Sequence, residues 1–449
     1  MAAIAPFRGL RYDPRRVGSL AQVVTPPYDV IDPGQREDLY LRHQHNIVRL
    51  ILGKERPGDN CRESSAVRAG RLFRRWWEEG VLVRDERPAV YLYRIDFPPA
   101  PGQGRITRRG FICLVRLSDY GEGQVRPHER TFSATRQERL RLIQEVRANF
   151  SQIFTLYDDP AGAVASALEE APKEGRALEF TTEDGVAHCL QAVTEPPAIA
   201  RAAGLMAPKR LYIADGHHRY ETCLAYRDLM RRAFPQAHPQ AAFNYTAVYA
   251  SALQDEGVRI LPAHRLIRKA PPLGGSGFTE RLGEFFDIQE FPLSADPSAA
   301  RRAFKAALAD NGPGRSKIGL ARAGEDRLRV LTLRNGTMGE LGLAPCLQDL
   351  DVMVLNGLIY GRCLGLAMDE LDDERRFLYD PGLDSALDRT LRGEVELAFV
   401  LNPTRLDQLR AVCEAGLIMP RKSTYFHPKV HTGLVINPLV PSEVIADPV

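Results

Sequence analysis

The sequence predicts a mixed α/β protein of two to three domains, and three observations carry that prediction. The chain has 449 residues, more than one hydrophobic core ordinarily holds. Its composition is globular: 44% hydrophobic and 26% charged residues give enough apolar surface for a packed core. Strand-like and helix-like apolar patterns follow one another irregularly, which favours a mixed α+β arrangement over a regular doubly wound sheet. Three regions are expected: an N-terminal α/β region over 1–125, a central region over 126–270, and a C-terminal α/β region over 271–449 that closes over the site.

The elements follow in order. Ser65 to Gly80 has apolar residues at helical spacing, and Gly80 suits a C-cap. Trp76 and Trp77 on this helix are assigned to packing rather than base stacking. Ala89 to Ile95 and Gly110 to Val115 read as strands of an elongated hairpin, with Pro98-Pro99-Ala100-Pro101-Gly102 in its loop. Thr135 to Asn149 is a charged amphipathic helix, Gln152 to Tyr157 a strand and Ala161 to Leu168 a helix. Thr246 to Ala252 is a strand, and the Pro/Gly-rich stretch from Ala270 to Gly277 is a linker or loop. Ala299 to Asp310 is helical, Lys317 to Ala321 and Arg327 to Leu333 form a strand pair, and Asp349 to Leu364 is a helix. Glu396 to Leu401 is a strand, and Leu406 to Ala415 a final helix.

Several function classes recede on composition. The apolar run from Val352 to Met368 is broken by Arg362 and too short to span a bilayer, so no membrane partner is expected. The N-terminus lacks a basic region before a long apolar run, so no signal peptide is read. The seven cysteines form no CxxC pair, which fits free thiols in a reducing, cytoplasmic setting. A formal charge of +3 is near neutral at this length and argues against a nucleic-acid partner.

The densest chemistry lies in Tyr212-Ile213-Ala214-Asp215-Gly216-His217-His218-Arg219-Tyr220. Lys209 to Ala214 is a short strand, Asp215-Gly216 a turn, and Tyr220 to Met230 a helix with Leu224, Ala225 and Leu229 on one face. Gly216, His217, His218 and Arg219 therefore sit where helix N–H groups and the positive end of the dipole point outward, a place that welcomes an anion. Arg219 adds a planar fork suited to phosphate or carboxylate. His217 and His218 are candidates to donate to phosphoryl oxygens or to shuttle a proton. Asp215 is a candidate to order a histidine, bind a metal or accept a hydroxyl proton. Adjacent histidines seldom face one metal, and Arg219 repels a cation, so zinc is disfavoured.

Other polar groupings are weighed against ordinary structural roles. In Pro127-His128-Glu129-Arg130-Thr131, Glu129 is a candidate general base, Arg130 a phosphate clamp and His128 a binding residue; an exposed salt-bridged loop explains them equally well. Asp29, after the stiff Thr25-Pro26-Pro27-Tyr28, is a candidate for a substrate amine or Mg²⁺, with a structural turn slightly favoured. Arg8 is a further candidate anion contact. Met419 to Lys429 is a loop rich in donors in which Lys422 and Ser423 could close over a phosphate; it lacks the glycines of a P-loop. His264 and Arg265 are either site residues or a satisfied strand-end pair.

Ile213 to Arg219 resembles the signature of the ParB/sulfiredoxin-like superfamily. That resemblance implies a ParB/sulfiredoxin-like core with N-terminal and C-terminal elaborations, in which this loop and helix grip nucleotide phosphates. A narrower resemblance runs end to end, through Pro6 to Tyr12, Pro26 to Ile31, Asn46 to Leu50, Pro127 to Thr131, the Asp215 loop, Leu261 to Arg265 and Met419 to Phe426. These pieces resemble the bacterial and archaeal family called domain of unknown function 1015. Its similarity to free-serine kinases implies phosphoryl transfer to or from a small hydroxylated metabolite, with serine and phosphoserine as the leading pair. ADP, ATP or pyrophosphate would be the donor, with Mg²⁺ as a candidate cofactor. In the helix after the His-Glu segment, where many relatives carry Asp-Arg-Leu, this chain has Glu138-Arg139-Leu140. The alternative reading is a ParB-like nucleotide-binding regulator without significant turnover.

Overall fold

The computed structural model describes residues 3–446 apart from 100–102, 132, 174, 176, 273–276, 295, 311–314 and 374. Part of the expected hairpin loop, at 100–102, and of the expected linker, at 273–276, lies outside the described residues. The mixed α/β class predicted from the sequence is the one observed. The chain divides into two compact units, one made of Met1–Pro127, Thr131–Arg259 and Phe426–Val449, the other of His128–Arg130 and Ile260–Tyr425.

The first unit is built on a mixed sheet. From one edge its order is Val125–Arg126, Leu211–Asp215, Ile153–Tyr157, Tyr245–Ala252, Ile106–Arg116, Val90–Phe97, Ala187–Val193 and Leu178–Thr181, with Ile4–Ala5 added beside Ile106–Arg116. Neighbours are antiparallel except at two places, Val125–Arg126 with Leu211–Asp215 and Tyr245–Ala252 with Ile153–Tyr157. The predicted hairpin is present, and its pairing runs from Tyr91 opposite Ile112 to Phe97 opposite Ile106. Strand residues alternate sides. Phe111, Cys113, Val248 and Ile213 face a core covered by the helices Ala163–Glu169, Pro196–Met206 and His217–Ala233.

The opposite face is aromatic and polar. Phe154, Tyr249, Tyr93 and His188 follow one another across it, with Phe154 in register with Asp215. The segment from Phe426 to Pro438 lies over this face. Phe426 meets Phe154 edge-on, His431 meets His188, and the Gln152 amide donates to the Val435 carbonyl at 2.5 Å. Bridges from Thr25 to Thr432 and from Leu10 to Ile436 pin it. Gly9 permits the close approach, because a Cβ there would stand 2.3 Å from Val435 Cγ1. This accounts structurally for much of Pro6 to Tyr12: Phe7 meets Tyr91 edge-on, and Arg11 pairs with Asp85.

The helix expected over Thr135 to Asn149 stops at Val146. Arg147 turns left-handed at φ 48°, and Ala148–Asn149 pair instead with Asn437–Pro438. The long-range strand partner overrides local helical spacing. Trp76 is buried against Tyr12 and His45, and Trp77 packs on Phe73.

The second unit carries an antiparallel sheet in the order Phe286–Pro292, Arg327–Leu333, Lys317–Arg322, Leu397–Val400, His264–Ile267 and Phe377–Asp380. Helices Pro297–Ala309 and Leu383–Leu391 fill its core with Phe304, Leu308, Ala386 and Leu387. The helix expected from Asp349 begins at Asp351 and widens into a π-helix over Leu355–Cys363. No helix among the described residues is long and apolar enough to cross a membrane.

Candidate functional site

The strand Leu211–Asp215 leads through Gly216 into the helix His217–Ala233, which starts three residues earlier than its apolar spacing suggests. Gly216 has φ 98°, a conformation that side chains with a Cβ rarely adopt. A Cβ at that position would also stand 2.8 Å from the Arg219 Cζ. The glycine thus serves the turn and leaves room for the guanidinium to fold back.

Arg219 uses that room. One end of its guanidinium donates to Asp215 Oδ2 and the other to the Gln152 carbonyl. The Lys429 ammonium donates to Asp215 Oδ1. The side chains of Asp215, Arg219 and Lys429 are only 13%, 11% and 11% exposed, so this is a largely buried triad. Burial by itself would raise the Asp215 carboxyl. The Lys429 and Arg219 charges outweigh it and hold the group well below the usual carboxylate range. His217 is buried in the first helical turn, and His218 beside it is half-buried. Two cations on one carboxylate leave an excess positive charge at the start of a 17-residue helix.

Arg219 also walls a small cavity of about 70 Å³, lined further by Tyr28, Arg139, Phe150, Thr222 and Cys223. Burial pushes the Tyr28 hydroxyl up to about 12 and the Cys223 thiol up to about 11, so neither is an anionic nucleophile at neutral pH. Arg139 lies over the Tyr28 ring at 4.4 Å and donates to the Ile51 carbonyl at 2.7 Å. The cavity shares Ile51, Arg139 and Leu142 with a cleft of about 1020 Å³ walled by Arg36, Lys54, Asn60 and Ser64. Glu138, the acidic position noted from the sequence, is exposed and pairs with Arg139. Asp29 is exposed in a short 3₁₀ turn, and Arg8 is exposed with its Nε on the Asp85 carbonyl.

In the second unit the candidates gather on the loop 420–424. Lys422 adopts a left-handed φ of 57°, rare for a residue with a Cβ. Its N–H donates to Glu129 Oε1 at 3.3 Å, and Arg265 Nη2 donates to the Arg421 and Lys422 carbonyls at 2.9 and 3.1 Å. His128 is fully buried with its Nε2 3.0 Å from Thr424 Oγ1. The Ser423 hydroxyl donates to the Pro420 carbonyl, and Arg130 is exposed. His264 accepts from the Leu401 N–H at 3.2 Å, and burial lowers it to about 4. Sequence reasoning missed Lys429, Gln152, Arg139 and Tyr28 as partners. Tyr28, Arg139 and Lys429 stood in segments it had singled out, but nothing in their spacing pointed to Asp215 or Arg219.

The fold and the site together define a mixed α/β protein whose sheet carries a cation-clasped carboxylate at a strand-to-helix junction. The chain belongs to the family described as Protein of unknown function (DUF1015), which matches residues 4–353. No curated protein matches it. Among solved structures it is similar to a free serine kinase in complex with AMP, at 14% identity and a TM-score of 0.32, over 72% of this chain and 87% of that one. It is similar to SbnI with C-terminal truncation from Staphylococcus aureus, at 11% identity and a TM-score of 0.36, over 73% and 87%. A conserved hypothetical protein from Pyrococcus furiosus is similar at 13% identity and a TM-score of 0.31, over 75% and 95%. At these scores the likenesses carry no argument about the chemistry of this chain.

Proposed function

We propose that the chain moves a phosphoryl group between a phosphate donor and a small hydroxylated metabolite, with serine and phosphoserine as the first pair to test. The observation that carries this reading is the Asp215 triad at the helix N-terminus. Its excess positive charge suits phosphoryl oxygens, and phosphoryl transfer asks a protein for positioning and fixed charge more than for covalent chemistry. In this reading Arg219 and Lys429 face the phosphate, and the N-terminal turn with His217 and His218 adds donors in the ParB-like manner. Asp215, held so far below the carboxylate range, is a weak base; its part is to order the two cations. The adjoining cavity and cleft offer room for ADP, ATP or pyrophosphate as donor. Both Asp215 oxygens already accept from cations, so the triad does not fit Mg²⁺, and no step is routed through a metal.

The test is ³¹P NMR of the full chain with phosphoserine, serine and ADP, ATP or pyrophosphate in turn. New phosphorus resonances that vanish in Arg219→Ala are expected. Nucleotide binding with no new resonance under any combination would refute the transfer and favour a regulator.

A further inference from the structure

We propose that Arg108 anchors a second, deeper oxyanion subsite on the aromatic face of the first unit's sheet, one that takes a phosphate group. Arg108 stands on the strand Ile106–Arg116 and is 0% exposed. Its guanidinium lies against the rings of Phe154 at 4.7 Å and Tyr249 at 5.5 Å. Nη1 reaches the His427 carbonyl at 3.5 Å, the long limit of a hydrogen bond. Among the described residues Nε and Nη2 have no acceptor in good hydrogen-bond geometry, although the Tyr249 hydroxyl lies within reach of the guanidinium, and no carboxylate is ion-paired with the group. Those two nitrogens form one edge of the guanidinium, the edge that grips an oxyanion with two parallel bonds.

The nearby counter-charge, Asp255, acts on Arg108 through space and is not ion-paired with it among the described residues. Asp255, which feels the charge, accepts from the Gly257 and Arg109 N–H groups. Burial is the main cause that lowers His427 and His431; the Arg108 charge lowers both further, and Asp184 opposes it. The buried Nδ1 of His431 likewise lacks a partner. Position is fixed from behind, since a Cβ on Gly257 would stand 2.3 Å from the Arg108 backbone. A buried unpaired charge is heavily penalised, so a fork left open in this way is arranged for an anion. The Phe426 to Pro438 segment that covers Arg108 also carries Lys429 to Asp215, so both cationic positions are reached beneath one cover. The inference rests on reading the Asp215 triad as a phosphate site, but requires no transfer of phosphate.

The test uses Arg108→Met in the full chain, with thermal melting and calorimetry in pyrophosphate, inorganic phosphate and acetate. An uncompensated charge predicts that Arg108→Met melts higher than the parent without anion and binds pyrophosphate at least about tenfold more weakly. Arg108→Lys, which keeps the charge but loses the fork, should fold and still lose several-fold in affinity. A lower melting point for Arg108→Met, unchanged pyrophosphate affinity in either variant, or protection by acetate but not by phosphate would overturn the subsite. Pyrophosphate binding that depends on Arg108 with no new ³¹P resonance would remove the proposed reaction and leave the subsite standing. Turnover that survives Arg108→Met with unchanged affinity would do the reverse.

Discussion

Replacing Lys429 by methionine tests the triad most directly, because it removes one cation from Asp215 and keeps the stem that covers the sheet. Stripping a partner from a buried ion pair costs about 3–5 kcal/mol when the remaining charge is left alone. Here Asp215 retains Arg219 on its other oxygen, so the loss is closer to one charge-assisted hydrogen bond, about 2 kcal/mol. The sign with pH follows from the carboxyl. Its folded-state value is depressed, so its stabilisation is fully present above the ordinary carboxylate value of about 4 and is lost as pH falls toward the depressed value. The gap between parent and Lys429→Met should therefore be widest at neutral pH and narrow in acid. Urea unfolding followed by tryptophan fluorescence measures it, since Trp76 and Trp77 both lie in the unit that holds Asp215. A gap below about 0.5 kcal/mol at pH 7, or one that widens as pH is lowered, would refute the reasoning.

Gly216→Ala places a Cβ at φ 98° and against Arg219; it should cost about 1–2 kcal/mol in urea unfolding and weaken phosphate binding by calorimetry, and normal values for both would contradict the role given to the turn. His264, buried and lowered to about 4, should show a neutral imidazole by NMR down to that pH. Because its folded value lies below the unfolded value of about 6.5, stability should fall as pH drops from about 6.5 to about 4, by at most about 3.4 kcal/mol. An imidazole titrating near 6.5 in the folded chain would show that it is not sealed.

Much of the fold was legible because its signals are local. The hairpin of Val90–Phe97 and Ile106–Arg116, the strand pair of Lys317–Arg322 and Arg327–Leu333, and the helix Ser65–Glu78 all follow from spacing and turn residues. Pro196–Met206 and Ala187–Val193 went unread, the first opening on paired prolines and the second only partly alternating in burial. Arg108 stands two residues before the run read as a strand, where an arginine suggests solvent, yet the Phe426 to Pro438 segment seals it.

What the sequence determined alone was the Asp215 junction: Asp-Gly can turn where few other pairs can, which puts His217, His218 and Arg219 where the turn passes into the helix. It also determined family membership, which rests on the order of short segments. Only the tertiary structure decided the charge state of that junction, because Lys429 reaches Asp215 across 214 positions of chain. Interactions at such separation depend on which sheet face a remote segment covers, and that is set by burial of the whole face rather than by any local pattern.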